Sequence, residues 1–327
     1  MEVCPVIAEL SPITHHIPVT GRIRSAPREK TMFQIAKEHH HFGKQILLLA
    51  KNELIKKYKG AVIGPLWSVV KPLFTLFVYW FAFSIGLKGA GNVKVIFPEL
   101  GHAGGVFEYE RFLFMLVGFI PWFFINESIV QGAKSIRENR QFVTKVSFPV
   151  STIMTYTSVA RLYVHIFLTG LMYLYLVLIG GKMTLPSGEA LAGGISPNIY
   201  NLQILFYMPL MFIFFLALSW STAPMSAFSR DFENMIVSVM SGIFWLSGII
   251  YDSYLLTGNL KYDWIRKIML FNPINFFANG YRNCFIYNRW FWEYKTELYV
   301  FLAELLFIII LGIFNYNRLR KRLPDVL

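Results

Sequence analysis

The sequence predicts an all-α membrane protein with six transmembrane helices. An interfacial helix precedes them, a short cytoplasmic helix joins the second to the third, and a re-entrant helix pair precedes the last. Three observations carry this expectation. Of 327 residues, 55% are hydrophobic and only 15% charged, with mean hydropathy +0.48, whereas a soluble domain carries about a quarter charged residues. Six stretches are apolar over the roughly 20 residues that a span needs. Lysine and arginine also concentrate in alternate connections.

Residues 1–30 are polar, basic and proline-containing with no apolar run, so a cytoplasmic arm over 1–40 is expected rather than a cleavable signal peptide. An amphipathic helix follows over 41–60. In "FGKQILLLAKNELIKKYKG" (42–60), Leu47, Leu54 and Tyr58 share a side, and Lys51, Lys56, Lys57 and Lys59 suit anionic lipid of the inner leaflet. Lys51 intrudes on the apolar stripe. Spans are expected at 65–87, 112–132, 157–180, 203–228, 235–256 and 298–316, within a transmembrane domain over 61–316. A basic tail, 317–327, ends the chain.

A seventh apolar run, "IMLFNPINFFANGYRNCFIY" (268–287), is interrupted by Asn272-Pro273, Asn279-Gly280 and Arg282. Two half-length pieces would remain, and such a re-entrant pair is tolerated only where protein or water satisfies its backbone. The region 261–290 is therefore expected at the outer face. Charge parity agrees: 1–64 carries ten Lys and Arg, 133–150 four and the tail four, while 88–110 carries two and 181–202 one. Both termini then lie in the cytoplasm, which requires an even number of spans. The 257–297 segment, with six basic residues, fits this pattern less well.

The stretch "SIRENRQFVTKVSFP" (135–149) falls on the cytoplasmic side. Ser135 can cap a helix, Phe142, Val143 and Val146 share one side of it, and Pro149 can end it.

Recognisable chemistry is scarce. No GxxxxGK[ST] occurs, so no nucleotide site is expected in this chain, and HExxH, GxSxG and DxD-like clusters are missing. "LSGII" (246–250) sits inside a predicted span and reads as helix packing. Cys4 and Cys284 form no CxxC. His39, His40 and His41 are adjacent and point in different directions on a helix, so no metal site follows. The basic residues form no single patch, which argues against nucleic acid. Without repeated halves or paired intramembrane carboxylates, neither an ion-coupled transporter nor a membrane transferase is expected. Glu127 and Asp252 fall near opposite faces.

Cations inside the spans are more informative. Arg161 and His165 lie one turn apart at the start of the third span. Arg161 either lines a cavity or snorkels to the interface, and Lys71 poses the same choice.

Three segments together resemble one family. "YKGAVIGPLWSVVKPLFTLFVYWFAFSIGL" (58–87), "NESIVQGAKSIRENRQFVTKVSFPVSTIMTY" (126–156) and "FNPINFFANGYRNCFIYNRWFWE" (271–293) are similar, in order and spacing, to ABC-2 type polysaccharide export permeases. The second and third look most like the wall teichoic acid exporters, with O-antigen and capsular polysaccharide exporters as the alternative. The resemblance implies a homodimer in the cell membrane, served by two ABC ATP-binding subunits that hold ATP and Mg. The chain itself then carries no cofactor, no metal and no catalytic residue. The substrate would be a polymer on a polyprenyl pyrophosphate.

The resemblance makes 135–149 a coupling helix, with Ser135, Ile136, Arg137, Arg140, Phe142, Val143 and Lys145 at the ATPase. Headgroup candidates are Lys56, Lys57, Lys59, Lys71 and Arg161. Tyr79, Trp80, Trp122, Tyr163 and His165 are candidates for the polymer path, the aromatics being equally suited to an interfacial belt or helix packing. Asn272, Pro273, Phe277, Tyr281 and Arg282 would form an outer gate.

Overall fold

In a bilayer no water satisfies backbone N–H and C=O groups, so apolar runs close on themselves as helices. The computed structural model describes residues 34–40, 42–86, 93–96, 106–109, 111–144, 148–180, 197–253 and 263–327. All of these except Gln34 belong to one compact unit, Ile35–Leu327. The predicted arm is thus described only from residue 34, the outer region only from 263, and Lys145 lies outside the described residues.

The described chain begins with α1 (Gln34–His40) and α2 (Gly43–Lys57), followed by a 3-10 turn at Gly64–Leu66, α3 (Trp67–Phe81) and a π-turn at Ala82–Gly86. The next connection departs from the all-α expectation. β1 (Val93–Ile96) and β2 (Val106–Tyr109) pair antiparallel, Val93 opposite Tyr109 and Ile96 opposite Val106. Valine, isoleucine, phenylalanine and tyrosine favour such pairing outside a helix-forming run.

Beyond the hairpin come α4 (Arg111–Glu138), α5 (Arg140–Thr144) and α6 (Val150–Gly180). A 3-10 turn at Ile199–Gln203 then leads into α7 (Ile204–Phe228), followed by α8 (Arg230–Leu246), α9 (Asp263–Leu270) and α10 (Pro273–Arg282). A π-turn at Asn283–Tyr287, α11 (Lys295–Leu319), a 3-10 turn and α12 (Leu323–Val326) complete it.

Among the described residues, four helices are long and apolar enough to cross a membrane: Arg111–Glu138, Val150–Leu178, Ile199–Phe228 and Lys295–Val326. The predicted first and fifth spans correspond to α3 and α8, of 15 and 17 residues. The turns at Gly64–Leu66 and Ala82–Gly86 prolong α3. By contrast α8 stops at Leu246, short of the predicted residue 256, because Gly248 turns the backbone with φ +42°.

The core is α4, buried along most of its length and packed on α6, α7, α10, α3 and α8. Its Phe114, Phe119 and Ile125 are fully enclosed with Met211 and Phe215 of α7 and Phe277 of α10. At one end of the bundle Ile35 of α1, Ile136 of α4, Tyr316 of α11 and Leu323 of α12 form a second cluster beside Val143 of α5. Glu38 ties that end together, accepting from Arg320 at 2.9 Å and from the Tyr316 hydroxyl at 3.0 Å. The two ends of the compact unit therefore meet on one side.

The broken run 268–287 folds with one departure from expectation. The chain breaks at Asn272, whose Oδ1 caps α10 by accepting from the N–H groups of Ile274 and Asn275 at 3.0 and 3.4 Å, with Pro273 in the first turn. Asn279-Gly280 is no break, since α10 runs through it to Arg282. Gly280 is needed for contact: a Cβ there would come within 2.3 Å of the Tyr207 ring. Every residue from Phe277 to Tyr287 is buried.

Candidate functional site

A cleft of about 710 Å³ opens between α2, α3, α4 and α6. The helices bring it six of the predicted residues: Lys56 and Lys57 from the last turn of α2, Lys71 from α3, Trp122 from α4, and Arg161 and His165 from α6. The linings follow helical spacing. Ser68, Lys71 and Thr75 share one face of α3, and Arg161, Val164, His165 and Leu168 share one face of α6. Glu53, Glu127 and Glu138 also line the cleft, with Tyr58 and Trp67. Sequence reasoning passed over these carboxylates as a group. The signal was their placement on α2 and on one stripe of α4, with Gln131 between Glu127 and Glu138.

The charges are partly paired. Lys57 Nζ donates to Glu127 Oε2 at 3.0 Å, but both side chains are about two-fifths exposed, so the pair contributes less than about 1 kcal/mol. Tyr58 lies between two ammonium groups, its ring centre 5.7 Å from Lys57 and 6.0 Å from Lys71. Burial raises the pKa of its hydroxyl, which is therefore a neutral donor at neutral pH.

Arg161 stands in the wall of the cleft. The helix starts at Val150 rather than near 157, so Arg161 lies about three turns inside α6. Its Nη1 is buried and without a hydrogen-bond partner, and Glu127, Glu53 and Glu138 are the carboxylates that act on it. A buried guanidinium N–H left unsatisfied is costly, so this group is suited to an incoming anion. The cleft as built offers cations for phosphate, carboxylates for hydroxyl donors and rings for stacking. Among the described residues, no group of His, Cys, Asp and Glu could hold a metal ion.

His165 also lines the cleft. Its Nε2 is 2.5 Å from the Tyr281 hydroxyl of α10, and its ring packs on Phe124. Other predicted residues lie elsewhere. Lys59 is exposed and outside the cleft lining. Tyr79 packs among Phe83, Phe119, Phe244 and Trp245, and Trp80 against Phe77 and Phe112. Tyr163 faces the exterior of α6.

The stretch 135–149 is not one helix. Ser135, Ile136 and Arg137 belong to the last turn of α4, and Ser135 starts nothing: its Oγ donates to the Gly132 carbonyl at 2.7 Å. Pro149 opens α6 rather than closing a helix, accepting from the Thr152 N–H at 3.1 Å and its hydroxyl at 2.6 Å. Ser135 and Ile136 are buried. Arg137 donates to Glu233 at 2.7 Å and to the Ser226 carbonyl. Phe142 packs tilted against Phe148 and edge-on against Tyr156, and Val143 packs beside it. What α5 presents outward is Arg140, Gln141 and Thr144.

Of the predicted gate residues, Arg282 is the most heavily engaged. Arg282 is fully buried, with Nη1 and Nη2 donating to the carbonyls of Gly248 and Ile249, each at 2.6 Å, and its guanidinium 3.8 Å from the Phe114 ring centre. It thereby fixes the turn that follows α8. Gly118 makes room, because a Cβ there would meet Ile249 O at 2.6 Å and Arg282 Nη2 at 2.7 Å.

Known proteins resemble this chain in sequence. The family model for the ABC-2 type transporter matches residues 44–286. The O-antigen export system permease protein RfbA of Myxococcus xanthus is 24% identical over 259 residues, covering 79% of this chain and 86% of that protein. The protein of the same name from Klebsiella pneumoniae is 23% identical over 287 residues, covering 86% and 94%.

Proposed function

The chain belongs to the ABC-2 type transporter family, and from that premise we propose that it is the transmembrane subunit of an exporter for a lipid-linked polysaccharide. Two copies would flank one path across the cell membrane, each crossing it six times with both termini in the cytoplasm. Two separate ATP-binding subunits would supply the energy. The relatives are named for O-antigen export, which favours an O-antigen-like polysaccharide over the wall teichoic acid that the motifs suggest first.

The observation that carries this reading is the cleft. A polyprenyl pyrophosphate needs cations at the depth of the lipid headgroups, with an opening for its lipid tail. Lys56, Lys57, Lys71 and Arg161 line one space, and Arg161 and the lysines suit phosphate. The adjoining rings and carboxylates would take the first sugars. In operation, ATP binding would draw the two ATP-binding subunits together and move α5. The shift of α4 and α6 would carry through His165 and Tyr281 to α10, which would open the outer end.

The experiment is substrate-stimulated ATP hydrolysis by the reconstituted exporter. Lys56→Glu with Lys57→Glu should weaken apparent substrate affinity about tenfold or more, since reversing charge at a phosphate contact exceeds about 1.4 kcal/mol. Basal hydrolysis should stay unchanged. Equal stimulation of variant and wild type would remove the cleft from the substrate path.

A further inference from the structure

A carboxylate in the wall of an anion site weakens it, yet Glu127 of α4 lines the same cleft as Lys57 of α2 and Arg161 of α6. Its Oε2 accepts from Lys57 Nζ at 3.0 Å. It is also the carboxylate that acts most strongly on the Arg161 guanidinium, ahead of Glu53 and Glu138. Glu127 thus serves two of the cations that suit phosphate.

Two features make this arrangement exchangeable. The Lys57–Glu127 pair is about two-fifths exposed, so solvent screens it and little is lost in breaking it. Arg161 keeps a donor in reserve, because its buried Nη1 has no hydrogen-bond partner. Carboxylate and phosphate compete for the same ammonium and guanidinium donors. Once displaced from Lys57, the Glu127 carboxylate can only accept, and the hydroxyl groups of a sugar supply the donors. A bare polyprenyl pyrophosphate brings no sugar hydroxyl. It also ends in a phosphate monoester, largely doubly ionised at neutral pH, and so sets about one more negative charge against Glu127 than the sugar-linked diester does.

We propose that Glu127 is the specificity-determining residue of the cleft. It is a counter-ion that yields Lys57 and Arg161 to the diphosphate of a sugar-linked lipid and disfavours the same lipid without its sugar. The proposal rests on the export reading above, and it assigns the cleft to the loaded form of the carrier. The unloaded form would then be kept from occupying the path.

The test is the binding of two probes with one polyprenyl tail, a polyprenyl pyrophosphate and the same lipid carrying one monosaccharide. Each is titrated into the exporter purified with its partner subunits and held in nanodiscs. Tryptophan fluorescence reads the binding, since Trp67 and Trp122 line the cleft. Wild type should bind the sugar-linked probe about tenfold more tightly than the bare one. Glu127→Gln should bind the bare probe about tenfold more tightly than wild type does, and the sugar-linked probe within about threefold of wild type, so that the preference disappears. Glu127→Asp keeps the charge and should keep the preference, which separates the effect of charge from that of packing. A preference that survives in Glu127→Gln would overturn the proposal and leave the cleft as the headgroup site, as would equal binding of both probes by wild type. Binding of neither probe by wild type would overturn the export reading of the cleft, and this assignment with it.

Discussion

Arg282→Met should destabilise the folded chain by about 3 kcal/mol, because two charge-assisted hydrogen bonds are lost and buried carbonyls lose their donor. Those carbonyls, of Gly248 and Ile249, lie buried in the turn that follows α8. Methionine fills much of the space and donates nothing. Thermal unfolding of the detergent-solubilised chain should fall by roughly 6 °C, and protease should cut near α10 sooner. Arg282→Lys should recover only part of the loss, since one ammonium cannot span both carbonyls as the planar guanidinium does. A melting temperature equal to wild type in the methionine variant would show that α10 holds α8 by packing alone.

Arg140→Glu with Gln141→Glu should separate the chain from its ATP-binding partner. Both side chains are exposed on α5, so reversing the charge there leaves the packing intact, and the protein should reach the membrane in normal amount. Capture of the partner and polysaccharide export should both drop more than about tenfold, the effect of about 1.4 kcal/mol at an interface. Phe142 is the instructive contrast. It packs on Phe148 and Tyr156 of its own chain, so Phe142→Ala should loosen α5 rather than remove a contact with the partner. Normal export by the double glutamate variant would take α5 out of the coupling path.

What was legible in the sequence was local. Asn272-Pro273 marks the start of α10 because an asparagine cap followed by proline depends only on its neighbours. Lys56 and Lys57 were visible for the same reason, being the basic end of an amphipathic helix. Gly280 misled because its role lies in the Tyr207 ring, 73 positions away in the chain (280 − 207). Ser135 looked like a cap because the sequence does not show that α4 continues under it against α7, where Gly132 admits the Ser219 side chain. The carboxylates of the cleft were hidden by their separation: Glu53 reaches Arg161 only once α2 lies on α6.

The most direct test of the central claim is purification of the tagged chain from its native membrane in mild detergent, with identification of bound subunits and an assay of ATP hydrolysis. An ABC ATP-binding subunit at one copy per chain, with vanadate-sensitive turnover, is the result expected of an export permease whose α5 seats that partner. A chain that purifies alone under the same conditions and supports no ATP hydrolysis would contradict it.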